Sequence, residues 1–175
     1  MKSPSTILFL EVECLANDHP VTRPNRVSHA DPFRAALDGA VASSGEVLAK
    51  IIAPYIDNVE IVITDWTAIH APLDDFRRRL PESAASRVIG SIYLEELTDS
   101  SWSDYHSSLA TRFACIQLWI NHHRPALTQD WLALDLGRQL DDWPENKMEH
   151  LVCGFLSNQS VQHQLAQKLG VRNGP

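Results

Sequence analysis

Five side chains in this sequence could act together on a phosphate or a divalent cation: Glu11, Glu13, Thr64, Arg112 and Asp135. Glu11 and Glu13 are two residues apart, so on an extended chain their carboxylates point the same way. Such a pair at a strand end suits a hard cation such as Mg2+, which is held by one or two carboxylates plus waters and a substrate phosphate. Asp135 could complete the donor set. The Thr64 hydroxyl could donate to a phosphate oxygen, and the Arg112 guanidinium could neutralise one. Taken singly, each has a plainer reading. The glutamates could mark a strand emerging into solvent, Thr64 an ordinary strand end, Arg112 a surface arginine and Asp135 a turn cap. What makes them a set is that each falls at the boundary of an expected element.

Those elements follow from hydrophobic patterning. The run Ile7-Leu8-Phe9-Leu10 is continuously apolar, as in a parallel strand buried on both faces. Val59 to Thr64, Arg87 to Tyr93, Trp131 to Asp135 and the shorter His150 to Cys153 give four more strands. Helices are expected between them. Asp31-Pro32 opens a short one through Leu37. Ser43 and Glu46 have capping-box spacing ahead of Val47, Leu48, Ile51, Ile52, Tyr55 and Ile56, with Pro54 ending or kinking that helix. Asp74 to Leu80 is a short helix stopped by Pro81. Leu109, Phe113, Ile116 and Ile120 place an amphipathic helix near 108–122. Val161, Leu165 and Leu169 define a closing helix with Gly170 as its stop. The polar segments 17–32 and 95–107 read as loops.

Strands alternating with helices imply an α/β fold: a three-layer, Rossmann-like domain with a five-stranded, mainly parallel sheet and helices on both faces. One domain over 1–175 is expected from the length. Ligands of such sheets bind beyond the carboxyl ends of the strands, where the five residues fall.

Composition excludes some alternatives. A net charge of −7 argues against an extended nucleic-acid surface. Arg77-Arg78-Arg79 follows Asp74-Asp75 and reads as a solvated helix face. Three cysteines without a CxxC pair argue against a disulfide framework or zinc site and suit a reducing compartment. No apolar run approaches the ~20 residues needed to span a bilayer. The start lacks a signal-peptide pattern, so a cytoplasmic protein without a membrane partner is expected. Cys14, beside two carboxylates, should have a raised thiol pKa and serve as a small buried hydrophobe. His122-His123 near a helix end suit the helix dipole better than a metal. There is no P-loop, GxGxxG or GxSxG.

The pattern ILFLEVECLAN resembles the first motif of the haloacid-dehalogenase-like (HAD-like) family, an apolar strand followed by D-x-D-G. VEIVITDWT, RVIGSIY, TRFACIQLWI, WLALD and HLVCGFLSNQSVQHQL continue in the order of the branch found in Swiss-army-knife RNA-repair proteins. The resemblance covers nearly the whole chain. It implies Mg2+-dependent phosphoryl transfer on a phosphorylated small molecule or nucleic-acid end. The nucleophile falls on Glu11, the acid/base on Glu13, the phosphate ligands on Thr64 and Arg112, and the late metal-binding acid on Asp135. Four positions depart from the pattern. Both first-motif aspartates are glutamates, Cys14 replaces the glycine, Leu136 stands where a second acid is common, and Thr67 stands where an arginine is common. A misplacement of about 1 Å can cost on the order of 100-fold in rate. The expectation is therefore a phosphohydrolase-type domain, weak or inactive as a phosphatase. The alternative is a catalytically silent domain that binds a protein partner through its polar segments.

Overall fold

The computed structural model describes residues 5–16, 44–65, 72–92, 111–126, 130–137 and 143–173. Five parallel strands form one sheet in the order β3-β2-β1-β4-β5. They are β1 (Thr6–Leu10), β2 (Val59–Ile63), β3 (Val88–Ser91), β4 (Trp131–Asp135) and β5 (Leu151–Cys153). The central β1 pairs with β2, Leu10 facing Ile63, and with β4, Leu10 facing Leu134. Every described strand is parallel, so the sheet is more uniform than the mainly parallel one expected.

The continuous apolar runs are explained by two cores, one on each face. Leu8 and Leu10 of β1, with Ile61, Ile63, Leu132 and Leu134, face one side. There they meet Leu48 and Ile52 of α1 (residues 44–52) and Val161, Leu165 and Leu169 of α5 (Gln159–Asn173). Two short helices, α2 (Leu73–Arg77) and α3 (Glu82–Ala85), add Phe76 and Ala84 to the same core. Ile7 and Phe9 face the other side and pack on Ile116, Trp119 and Ile120 of α4 (Arg112–His123), with Trp131 and Trp143. Helices therefore cover both faces, as alternation required.

Several boundaries differ from the expectation for local reasons. Gly170 does not stop the last helix, which runs on to Asn173. A Cβ at Gly170 would come within 3.1 Å of the Tyr55 hydroxyl, so this glycine permits a close approach rather than a cap. The helix expected over 74–80 is shorter, α2 ending at Arg77, and a separate short helix, α3, which patterning did not reveal, begins after Pro81. Pro54 behaves as expected, since α1 gives way to a 3-10 turn over Ala53–Asn58. His150 lies in a 3-10 turn (Glu145–His150), so β5 starts one residue later than expected. The helix over 31–37, Ser43 of the capping box and all of the polar segments 17–32 and 95–107 lie outside the described residues. Arg77 and Arg78 pair with Asp74 and Asp75, consistent with a solvated face. No helix among the described residues is long and apolar enough to cross a membrane.

His150 sits at the amino-terminal edge of the sheet, wholly buried and stacked on Trp131 at 4.2 Å. Its Nδ1 lies 2.9 Å from the Trp131 carbonyl, so the neutral ring donates there. Among the described residues Nε2 has no hydrogen-bond partner, although the Glu149 carboxylate is 3.4 Å away. Burial holds the imidazole pKa below its ordinary value; the bond to the Trp131 carbonyl opposes this, and Arg172 adds to it. The folded state thus resists a proton that the unfolded chain accepts near pH ~6.5. Wild-type stability relative to a His150→Phe variant should therefore decline as pH falls below about 6.5, as urea unfolding of both would measure. A difference that stays constant with pH contradicts this.

Candidate functional site

The carboxyl edge of the sheet brings four of the five expected residues into one network. Glu11 directly follows β1, and its backbone N–H donates to the Leu134 carbonyl at 3.0 Å. The chain then closes into a 3-10 turn, Val12–Leu15, rather than continuing extended. The extended backbone on which Glu11 and Glu13 were expected to point the same way is therefore absent: Glu11 is 2% exposed, whereas Glu13 is half-buried on the turn. Thr64 follows β2 and its N–H bonds the Leu10 carbonyl at 2.9 Å. Asp135 ends β4. Arg112 opens α4, after Thr111, whose hydroxyl caps the helix by accepting from the Ala114 N–H at 3.2 Å.

The Arg112 guanidinium bridges these elements. It lies 3.0 Å from Glu11 Oε1 and 3.2 Å from Asp135 Oδ2, and it donates to Thr64 Oγ1 at 3.4 Å. Backbone N–H groups take the other carboxylate oxygens: Leu136 donates to Glu11 Oε2 at 2.8 Å, and Gly137 to Asp135 Oδ1 at 2.7 Å. Gly137 has φ of 74°, a left-handed conformation that glycine adopts without strain. That turn aims two successive N–H groups back at the acids. A cation in the first turn of a helix meets the positive end of the helix dipole, so Arg112 depends on its two carboxylates.

A residue that the reading of the sequence passed over completes the cluster. Asp65, next to Thr64, is 6% exposed and accepts from the Val12 N–H at 2.6 Å through Oδ2. Its carboxyl pKa is raised to about 7, first by burial; the Val12 hydrogen bond opposes this and the Glu11 charge adds to it. Glu11 is also raised, by burial, while Arg112 pulls it back down. The only sequence signal for Asp65 was an acid immediately after a strand-ending threonine. Cys14 is fully buried, 3.9 Å from Glu11 Oε2, and burial followed by the Glu11 charge pushes its thiol pKa well up. This agrees with its reading as an inert hydrophobe.

The arrangement does not fit the Mg2+ that the resemblance implies at Glu11, Glu13 and Asp135. Arg112 lies between Glu11 and Asp135 and holds an oxygen of each, and backbone N–H groups hold the others. Among the described residues, no group of three or more His, Cys, Asp or Glu side chains is placed to hold a metal ion. Chemically, the cluster sets three buried carboxyl groups, Glu11, Asp65 and Asp135, around the single guanidinium of Arg112. The chain matches no protein-family model, no curated protein and no solved structure.

Proposed function

We propose that this chain is a HAD-like phosphohydrolase-type domain of three-layer, Rossmann-like form whose phosphate site has become an internal carboxylate–guanidinium cluster. Mg2+-dependent phosphatase activity is then weak or absent. The observation that carries this reading is Arg112 held between Glu11 and Asp135 at 3.0 and 3.2 Å. The guanidinium expected to meet a phosphate is already neutralised, and the carboxylate at the nucleophile position, Glu11, is itself engaged. The fold half of the proposal is supported by the strand order, with β1 central and the sheet growing outward on both sides from it. In such sheets the crevice at the reversal of strand order takes the ligand, and Glu11 and Asp135 flank that point. A phosphorylated small molecule or nucleic-acid end remains the substrate class to which this site is related.

The test is hydrolysis of p-nitrophenyl phosphate and of a nucleotide 3′-phosphate, with and without added Mg2+, by wild type and Glu11→Gln. Turnover by wild type should stay within about twofold of the variant in both conditions, well short of the ~100-fold that a misplaced catalytic group can cost. Robust Mg2+-dependent turnover that disappears in Glu11→Gln would show a working phosphatase and overturn the inactivation part of the proposal.

A further inference from the structure

Two of the three buried carboxyl groups in this cluster pair with the Arg112 guanidinium. Glu11 and Asp135 each have an oxygen on Arg112 and another on a backbone N–H. Asp65 has a different environment: Val12 N–H donates to Oδ2, and no described arginine, lysine or histidine forms an ion pair with it. Ionising all three at buried positions would leave negative charge uncompensated among the described residues, which is costly unless a group takes up a proton instead. The groups facing Asp65 reinforce this. Glu11 and Glu13 on the chain after β1 disfavour its charge, and Arg112 on α4 favours it but is already shared. Cys14 on the 3-10 turn, its thiol pKa pushed well up, stays neutral and offsets none of this charge. Since Oδ2 accepts from Val12, Oδ1 is left to carry the proton.

We propose that Asp65, rather than the Glu13 to which the family resemblance assigns the acid/base role, is the proton-carrying acid of this cluster. The location of the proton does not depend on the phosphohydrolase-type reading.

The experiment therefore reads the proton itself by infrared difference spectroscopy on the full chain, without substrate. Wild type should show the carbonyl stretch of a protonated carboxyl at about pH 6, and the band should disappear as pH is raised through about 7. The band should be absent in Asp65→Asn, which keeps an acceptor for Val12, and should persist in Glu13→Gln with its midpoint moved to lower pH, because a charge that disfavours ionised Asp65 is gone. Incorporating 13C-aspartate into wild type should shift it, a result that does not depend on any variant folding. A band lost in Glu13→Gln, kept in Asp65→Asn, unshifted by labelled aspartate, or missing from wild type overturns the assignment. The phosphatase reading is scored separately by the Glu11→Gln assay, so one can fail without the other.

Discussion

Replacing Arg112 with methionine should destabilise the fold by about 3–5 kcal/mol at neutral pH, the cost of leaving buried charge without its partner. The side chain is 17% exposed, and Glu11 and Asp135 are 3% and 6% exposed, so solvent screens this network little. Methionine fills much of the volume and keeps helix propensity, which leaves electrostatics as the main change. The loss should depend on pH. Without Arg112, the strongest influence lowering the Glu11 pKa is gone, so the folded-state pKa of Glu11 rises further above its unfolded value. Stability carried by a group raised in this way is present below its unfolded pKa and is lost as pH climbs through the folded one. The variant should therefore be least stable above neutrality and recover toward wild type as pH falls to about 5. Adding Glu11→Gln and Asp135→Asn to Arg112→Met should restore much of the stability, because the uncompensated acids are removed with their partner. Urea unfolding at both pH values measures all of this. A variant within about 1 kcal/mol of wild type at neutral pH would mean that the network is solvated rather than buried.

The second large effect should come from Phe9→Ala, at about 3–5 kcal/mol. Phe9 is fully buried in β1, the central strand, and its ring meets Trp119 and Trp131 edge-on at centroid separations of 5.5 and 5.9 Å. One neighbour belongs to α4 and the other to β4, which is hydrogen-bonded to β1. Neither can follow the lost ring inward without breaking its own element, so a cavity should persist and the cost should reach the upper part of the range. The edge-to-face contacts add to the loss. Leu118→Ala is the contrast on the same helix. Leu118 is 44% exposed, and its truncation should change stability by no more than about 0.5 kcal/mol. Thermal and urea unfolding of the two variants should differ accordingly, and equal losses would mean that the second core is loosely packed.

Both predictions depend on where patterning succeeded and where it stopped. The strand Ile7–Leu10 was legible because a parallel strand covered on both faces needs apolar residues at every position, and the two cores use Ile7 and Phe9 on one side and Leu8 and Leu10 on the other. Arg112 was placed at a helix start because the apolar spacing of Phe113, Ile116 and Ile120 begins there. The 3-10 turn after Glu11 was not legible. Its hydrogen bonds are backbone ones, Cys14 N–H to Glu11 and Ala16 N–H to Glu13, and leave no side-chain period to read. The glycine at 170 was misread because a cap and a close helix contact call for the same residue. Only the Tyr55 hydroxyl across the gap distinguishes them.

By itself, the sequence determined that this chain builds an α/β sheet and that acids, a threonine and an arginine stand at the ends of its elements, since burial on one or both faces is written in local periodicity. Tertiary structure alone decided how those charges are used. Glu11, Arg112 and Asp135 meet because β4 lies beside β1 and α4 starts above them, and Asp65 joins them because β2 lies on the other side of β1. Whether an arginine binds a phosphate or compensates its own protein's acids is a matter of distance and dielectric between residues far apart in the chain, and no local pattern encodes either.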